Sequence, residues 1–244
     1  MENSLYVGLS RQMVLDRAMR SVANNVANVS TPGYRAQNPM FHEFISKPKG
    51  AEEPLKMVYD FGQYLTTTAG PLKFTGGTYD VALEGPGFMG VTTPSGETHY
   101  TRAGNFNVNI QGQLVTPSGF LVAGNGGAAI TIPEGTADVK ILPTGDVLAD
   151  GNAVGQIMMV EVADINGLQP QGNGLYKARE GLEVLPAQNT RMVQGSLEGS
   201  NVNSVAEMTR MIEISRDYQS AMRMVNSEDE RQRGTIQRLL QTNA

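Results

Sequence analysis

Few residues of this 244-residue sequence are of a type and spacing that could carry out chemistry. The stretch Gly85-Pro-Gly-Phe-Met-Gly90 has the spacing of glycines that hold a dinucleotide pyrophosphate. Such a loop must open a helix, but here it is followed by VTTPSGETHY, which is typical of a strand and a turn. The stretch therefore predicts a bulge or a tight turn rather than a nucleotide site.

The other candidates for catalysis are isolated side chains. His42 and His99 are the only histidines, and we expect His99 on a strand, at a surface or half-buried position. Asp80 and Glu84 could be posed as an acid pair, but Asp80 follows GGTY and is predicted to be a turn or ladder partner. Cysteine is absent, which excludes disulfides and thiolate metal sites. We therefore predict no catalytic residue, cofactor or metal, and no enzymatic activity.

A group of asparagines ends the first predicted helix. Asn24, Asn25 and Asn28 lie in SVANNVANVSTPGYR, although Asn is a poor helix former. On a helical wheel Asn24 and Asn28 continue a narrow polar stripe, and Asn25 lies off it. Two interpretations remain open: Asn24 and Asn28 bond to neighbouring helices or the following loop and fix helix register, or they satisfy backbone groups near the helix end.

Charge and hydropathy exclude several classes of protein. The net charge of −5 and the pI of about 5.1 argue against a generic nucleic-acid binder. No apolar run approaches the roughly 18 residues needed to span a bilayer, so membrane insertion is not expected. The first residues lack the basic start and apolar core of a secretory signal, so no cleaved signal peptide is expected either.

Glycine divides the chain into three parts. Of the 28 glycines, 22 lie between Gly62 and Gly181, where turn signals alternate with short β-prone runs. Thr-Pro-Ser-Gly occurs there twice, at 93–96 and 116–119. Turns every eight to twelve residues predict a central antiparallel all-β domain, a sandwich or a barrel, over residues 62–195.

The two ends of the chain are predicted to be helical, which makes the fold class α+β. Residues 1–29 contain no proline and a single glycine, Gly8, and are predicted to form an N-terminal assembly helix. Ser204 to Glu207 read SVAE, a capping box that predicts the start of a helix within 196–244. Residues 30–61 are predicted to be an extended, partly hairpin-like connector.

Both terminal helices have apolar faces wider than the stripe of about 100° that one neighbour would cover. We therefore predict that they pack in a coiled-coil-like assembly with other subunits and are frayed in the free monomer. The alternative is that both helices wrap the β domain of their own chain. The residues predicted to form assembly contacts are Leu5, Leu9, Met19, Val22, Asn24, Asn25, Val26, Asn28, Pro32, Gly33, Val205, Met208, Met211, Ile212, Tyr218, Met222 and Val225.

Three stretches of the sequence resemble one family. ANNVANVSTPGYR resembles the N-terminal signature of bacterial flagellar rod, hook and hook-associated proteins, and the stretch from SLEGSNVNS to AMRMV resembles their C-terminal signature. TYDVALEGPGFMGV and YTRAGNFNVNIQGQLVTPSGFLVAG are similar to the β domain shared by the rod and hook members. The length and the STPGYR ending look most like proximal-rod members, with a distal-rod or hook subunit as the alternative.

The resemblance implies a structural subunit that polymerises into a drive shaft, transmits torque and encloses the protein-export channel. It implies an inner tube of terminal helices with the β domain outside, in the basal body within the periplasm. The implied partners are copies of the chain, proximal and distal rod proteins, the flagellar type III export apparatus, and peptidoglycan or ring proteins. An oligomeric surface-binding β module is a remote alternative, because tryptophan is absent and aromatic residues make up only 6%.

Overall fold

A computed structural model describes residues 2–46 and 55–242, which fall into two compact units. The first unit consists of the described parts of residues 1–27, 37–66 and 203–244. The second unit consists of residues 28–36 and 67–202. The chain therefore passes from one unit to the other four times, after residues 27, 36, 66 and 202.

Two helices form most of the first unit. Helix α1 spans Glu2–Ala27, and helix α2 spans Ser204–Thr242. The predicted helices at the two ends of the chain are thus confirmed. Over the residues that the structure describes, neither helix is long and apolar enough to cross a membrane.

The N-terminus of α2 is capped by Asn203 rather than by Ser204. Oδ1 of Asn203 accepts hydrogen bonds from the backbone N–H groups of Val205 and Ala206, each at 3.1 Å. The capping box predicted at Ser204–Glu207 is therefore wrong, since Ser204 is already helical. Asn and Ser are about equally good caps, so the pattern alone could not decide between two adjacent candidates.

The core of the first unit lies between the two helices. Val22 of α1 is 1% exposed and packs with Ala18 of the same helix and with Ile214 of α2. The residues around this centre are half-buried: Leu15, Met19, Val26, Phe41 and Met211. Burial of these apolar side chains is the main term that stabilises the helix pair.

A long hairpin completes the first unit. Strand β1 (Gln37–Ser46) pairs antiparallel with β2 (Leu55–Leu65), with a bulge at Met40 and Phe41. These strands occupy much of the range predicted to be an extended connector. The hairpin is joined to α1 by Ser10, whose hydroxyl donates to the Val58 carbonyl at 2.9 Å and accepts from the Val58 N–H at 3.1 Å.

The second unit is built from short strands, all paired antiparallel over the residues described. The predicted central antiparallel β region is thus confirmed. The strands are β3 (Leu72–Phe74), β4 (Val81–Glu84), β5 (Phe88–Thr92), β6 (Thr98–Thr101), β7 (Asn107–Val108), β8 (Leu114–Val115), β9 (Leu121–Val122), β10 (Val139–Ile141), β11 (Asp146–Ala149), β12 (Asn152–Gln156), β13 (Met159–Val162), β14 (Leu168–Gly172), β15 (Leu175–Ala178), β16 (Val184–Pro186), β17 (Arg191–Gln194) and β18 (Ser196–Glu198).

The largest sheet of the second unit has the strand order β14-β15-β6-β5-β9-β8-β7, and β13 pairs with both β5 and β16. Smaller sheets are β10-β11-β12, β17-β4 and β18-β3. Side chains from several of these sheets form one apolar core, which includes Val81, Leu83, Met89, Phe106, Leu114, Val122, Ile130, Val147, Ile157 and Met192.

The two Thr-Pro-Ser-Gly motifs form the same turn. Gly96 and Gly119 both have a φ of 82°, a conformation that favours glycine. Their N–H groups donate to the carbonyls of Thr93 at 2.8 Å and Thr116 at 2.9 Å. The turn signals of the sequence therefore close hairpins, β5–β6 in one case and β8–β9 in the other.

Candidate assembly sites

A buried asparagine links α1 to the start of β1 in the first unit. Asn25 is 1% exposed, and its Oδ1 accepts from the Gln37 N–H at 2.9 Å. Its Nδ2 donates to the Gln37 carbonyl at 3.0 Å, and the Ser21 hydroxyl donates to the same carbonyl at 2.7 Å. The Asn25 side-chain amide therefore forms the pair of bonds with the Gln37 backbone that a residue of a neighbouring strand would form. It satisfies both backbone groups of a buried residue.

The same asparagine also reaches α2. Its Nδ2 lies 3.4 Å from Oε2 of Glu207, in the first turn of that helix. Ser21 and Asn25 are four residues apart on α1 and so lie on one face of the helix. This arrangement brings three elements of the first unit, α1, β1 and α2, to one polar group.

The other two asparagines of the run differ from Asn25. Asn24 is exposed on α1, and Asn28 is half-buried. Oδ1 of Asn28 accepts from the Thr31 hydroxyl at 3.1 Å, and its carbonyl accepts from the Thr31 N–H at 3.1 Å. Asn28 thus bonds within the turn that follows the helix, where Pro32 is half-buried and Gly33 is buried.

Helix α2 has an apolar stripe on its surface. Val205, Met208 and Ile212 are 72%, 52% and 54% exposed, and their spacing of three and four residues places them on one face. Met222 continues the exposed apolar surface further along the helix. Polar and charged side chains normally cover such a face in a monomer, so this stripe is a candidate contact surface.

The remaining predicted assembly residues line the other side of α2 or lie on α1. Met211, Tyr218 and Val225 are half-buried on α2. On α1, Met19 and Val26 are half-buried and pack against the apolar core between α1 and α2. Exposed apolar side chains lie nearer the start of α1, at Tyr6, Leu9 and Met13. The side chain of Leu5 lies outside the described residues.

The second unit contains a buried cluster of three charged residues. Arg35, Arg102 and Glu198 have side chains that are 1–2% exposed. Glu198 Oε1 lies 3.0 Å from Nη2 of Arg35, and Glu198 Oε2 lies 2.8 Å from Nη1 of Arg102. One carboxylate therefore lies between two guanidinium groups, an arrangement that we call the charge triad.

Backbone groups occupy several of the remaining positions of the charge triad, whereas the buried Nε atoms of Arg35 and Arg102 have no hydrogen-bond partner. Arg35 donates through Nη1 to the carbonyls of Thr67 and Thr68, and Arg102 donates through Nη2 to the Gly85 carbonyl. Glu198 Oε1 also accepts from the Gly70 N–H at 3.0 Å. These bonds compensate much of the cost of removing the charges from water.

The triad has an excess of positive charge. Burial lowers the pKa of Arg35, the neighbouring Arg102 lowers it further, and Glu198 opposes the change. The Arg102 guanidinium lies 5.2 Å from the centre of the Phe88 ring, a distance suited to a cation–π contact. Burial also raises the pKa of Tyr176, whose ring packs edge-on against Phe88.

Backbone bonds around the triad join segments that are distant in sequence. The Gly33 N–H donates to the Glu198 carbonyl at 2.8 Å, and the Ala36 N–H donates to Oδ1 of Asn201 at 2.7 Å. Asn201 Nδ2 donates to the Thr68 carbonyl at 2.8 Å. A Cβ on Gly33 would lie 2.4 Å from the backbone carbon of Arg102, so only glycine permits this approach.

The isolated candidates for catalysis have structural places. Residues 88–92 form strand β5, so the glycine loop opens a strand, as predicted, and not a helix. Asp80 bridges to Asn105 and accepts from the Thr75 hydroxyl at 2.6 Å. His99 is buried on β6, which corrects the expected surface or half-buried position. Within the described residues no group of three or more His, Asp and Glu side chains could hold a metal ion.

The charge triad was missed by sequence reasoning, although a signal was present. Arg35 ends the stretch ANNVANVSTPGYR, Arg102 lies in YTRAGNF, and Glu198 lies in SLEGSN. Each of the three family-like stretches thus carries one member. Charged residues of opposite sign in the three separated signatures were the available signal, although further charges in the central and C-terminal signatures obscure it.

Three family models match this chain, and their order along it is that of the three family-like stretches. The model described as "Flagella basal body rod protein" matches residues 5–35. The "Flagellar hook protein FlgE/F/G D1 domain" matches residues 82–149, and the "Flagellar basal body rod FlgEFG protein C-terminal" matches residues 193–238. Each matched range contains one residue of the charge triad.

Relatives are similar to the chain over nearly its whole length. It is 39% identical to the flagellar basal-body rod protein FlgF of Caulobacter vibrioides, over 98% of both chains. It is 33% identical to FlgF of Mesorhizobium japonicum, over 90% of both. It is 32% identical to the rod protein FlgG of Caulobacter vibrioides, over 88% of this chain and 91% of that one. This chain therefore belongs to the family of flagellar basal-body rod proteins, which are structural subunits and not enzymes.

Proposed function

We propose that the protein is a subunit of the proximal rod, polymerising with copies of itself and with other rod proteins into the shaft that transmits torque. Similarity to FlgF supports this position, because identity is higher to FlgF (39%) than to FlgG (32%) of the same organism, Caulobacter vibrioides. A distal-rod or hook position in the same family is the alternative.

The observation that carries the proposal is the exposed stripe of Val205, Met208 and Ile212 on α2. Complete burial of each of these side chains against a neighbour would contribute about 1.5–3 kcal/mol. We propose that the stripe, together with Leu9 on α1, packs against helices of adjacent subunits in a coiled-coil-like inner tube. We propose that the helix ends are frayed in the monomer and become ordered on assembly, because this packing contributes the free energy that orders them.

The inner tube would surround the export channel. The polar face of α2 would line that channel, and the strands of the central domain, arranged as a sandwich or barrel, would lie outside it. In this proposal residues 1–29 and 196–244 form the assembly helices, residues 30–61 form the connector, and residues 62–195 form the outer domain. Candidate outer contacts are ring proteins and peptidoglycan.

The location follows from the same proposal. The chain would reach the basal body in the periplasm through the flagellar type III export apparatus. The absence of cysteine suits a protein that passes from a reducing to an oxidising compartment.

Asn24 and Asn28 are proposed to specify helix register in the tube. A slip by three or four residues would still bury Val and Ala, so apolar packing alone specifies register weakly. Asn24→Val and Asn28→Val should therefore reduce incorporation into rods and motility. Normal incorporation and motility of both variants would refute this role.

The assembly proposal is tested on the exposed stripe. Met208→Asp with Ile212→Asp should abolish rod incorporation, because a charge at a packed interface is costly. Ser220→Asp, also exposed on α2, is the matched control and should assemble. Electron microscopy of purified basal bodies shows where the rod stops. Centrifugation with partner rod proteins separates this function from that of a surface-binding module, which would oligomerise alone.

A further inference from the structure

The segments at which the chain leaves the second unit are bonded to one another. We call residues 28–36, 67–71 and 196–202 the crossing segments, because they contain all four points at which the chain passes to the first unit. Arg35 joins the first segment to the second through the Thr67 and Thr68 carbonyls. Asn201 and Glu198 join the third segment to both others.

The third crossing segment is also joined to each of the other two by main-chain groups or by very close approach. The Asn201 N–H donates to the Tyr34 carbonyl at 3.3 Å, and the Gly199 N–H donates to the Pro71 carbonyl at 2.8 Å. A Cβ on Gly70 would lie 1.9 Å from the Gly199 carbonyl oxygen, so no side chain fits between the second and third segments. The three segments are thus fixed to each other within one unit.

The charge triad attaches this group of segments to the β domain. Arg102 belongs to none of them: it follows β6, bonds to Glu198 at 2.8 Å and donates to the Gly85 carbonyl. Its guanidinium also packs on Phe88 at the start of β5. Glu198 therefore binds Arg35 of another crossing segment and Arg102 of the β domain at the same time.

We propose that Arg35, Glu198 and Arg102 form a mechanical clamp, which makes the crossing segments one rigid connection for the torque that passes along the chain into the second unit. The inference rests on the proposed role as a rod subunit. Any force carried by the covalent chain between the units must pass through these segments. If they could slide past each other, the shaft would yield under load.

The chemistry of the clamp suits resistance to sliding. Apolar contacts are non-directional, so apolar surfaces can shift sideways while staying buried. A carboxylate fixed by two guanidinium groups has a defined geometry, and any displacement separates buried charges from their partners. Apolar side chains of similar volume could match such a group in stability, so resistance to displacement is the property that charges add.

The first test measures mechanical opening of the single full chain. Because the protein has no cysteine, Arg11→Cys on α1 and Gln111→Cys between β7 and β8 give unique attachment points in an optical trap. In this background we expect Glu198→Gln to increase the rate of the first opening event at fixed force at least tenfold. Glu97→Gln removes an exposed ion pair with Lys177 and is the control, with an unchanged rate.

A second variant keeps the test decisive. Arg35→Lys retains the charge but replaces the two nitrogens that bond to Thr67 and Thr68 and to Glu198 by a single ammonium nitrogen, and it should also open at least tenfold faster. Should Glu198→Gln fail to fold, Arg35→Lys alone decides the matter. The clamp proposal would be overturned if a folded variant opened at the same rate as the double-cysteine protein with the unaltered triad.

Measurements in cells separate the clamp from the proposed function. Arg35→Lys subunits are expected to enter rods, but the motors should lose torque in a viscous medium while turning normally at low load. Complete rods with full torque at high load would refute the clamp and leave the rod role intact. Failure of the unsubstituted chain to enter rods would refute the proposed function itself.

Discussion

Asn25 and Gln37 are joined by two hydrogen bonds, of 2.9 Å and 3.0 Å, between one side-chain amide and both backbone groups of the other residue. The pair links α1 to the first residue of β1. Buried backbone groups that lose their partners are costly, so this link fixes where the hairpin begins relative to the helix. The Ser21 hydroxyl adds a third bond, to the Gln37 carbonyl at 2.7 Å.

Asn25→Asp should destabilise the first unit. A carboxylate cannot donate to the Gln37 carbonyl, and it would face Glu207 at the position where Nδ2 now lies 3.4 Å from Oε2. We expect a loss of about 1–3 kcal/mol in the free energy of unfolding, measured by urea denaturation. Asn24→Asp makes the same change at an exposed position and should have little effect. Equal losses in the two variants would contradict the special role of Asn25.

Two isoleucines of α2 should separate stability from assembly. Ile214 should contribute to the stability of the monomer, and Ile212 should contribute to assembly. Ile214→Ala should lower the free energy of unfolding by about 2–5 kcal/mol, because Ile214 is buried in the helix core. Ile212→Ala should change it by no more than about 0.5 kcal/mol, since Ile212 is exposed. Rod incorporation should fall for Ile212→Ala even though the monomer is intact. An Ile212→Ala monomer as unstable as Ile214→Ala would show that the stripe is already packed in the free chain.

The pattern of the sequence predicted the elements better than their polar contacts. The helices at both ends and the antiparallel centre followed from glycine distribution and apolar periodicity, which are local properties. The helical wheel placed Asn25 off the polar stripe, which agrees with its being the most buried of the three asparagines. The wheel gave no partner for Asn25, because that partner, Gln37, begins a strand twelve residues later.

The charge triad shows the same limit more strongly. Its members are separated by 67 and 96 residues in the chain, counted from Arg35 to Arg102 and from Arg102 to Glu198. No period or spacing connects residues so far apart. What could be predicted was only that each family-like stretch contains charged residues. Their contact depends on how the crossing segments pack, which is a tertiary property.

The helix cap gives a direct comparison of neighbouring residues. Asn203→Ala should cost about 0.5–2 kcal/mol, because Oδ1 of Asn203 accepts from the N–H groups of Val205 and Ala206. Ser204→Ala should cost much less, since Ser204 is the first helical residue and alanine is a better helix former. Thermal denaturation of both variants provides the measurement. A larger loss for Ser204→Ala would restore the capping box.

Acid should weaken the second unit through Glu161. A hydrogen bond from the Thr190 hydroxyl (2.8 Å), followed by one from the Asn189 N–H (2.8 Å), lowers the pKa of Glu161 below its ordinary value of 4.5. Above about pH 4.5 the carboxylate is ionised in both states, and its stabilisation is fully present. As the pH falls, the unfolded chain binds the proton first, and the stabilisation is lost as the pH passes through the lowered pKa of the folded state.

Glu161→Gln isolates this contribution. The urea midpoint of the unaltered protein should exceed that of Glu161→Gln at pH 7, and the difference should shrink as the pH falls from about 4.5. Loss of the bond between Thr190 and Glu161 should also affect Gly87, because the Thr190 hydroxyl oxygen accepts from the Gly87 N–H at 2.9 Å. Protonation of Glu161 should therefore speed amide exchange at Gly87, in the loop before β5. A difference between the midpoints that stays constant from pH 7 to pH 3 would exclude Glu161 as the group responsible.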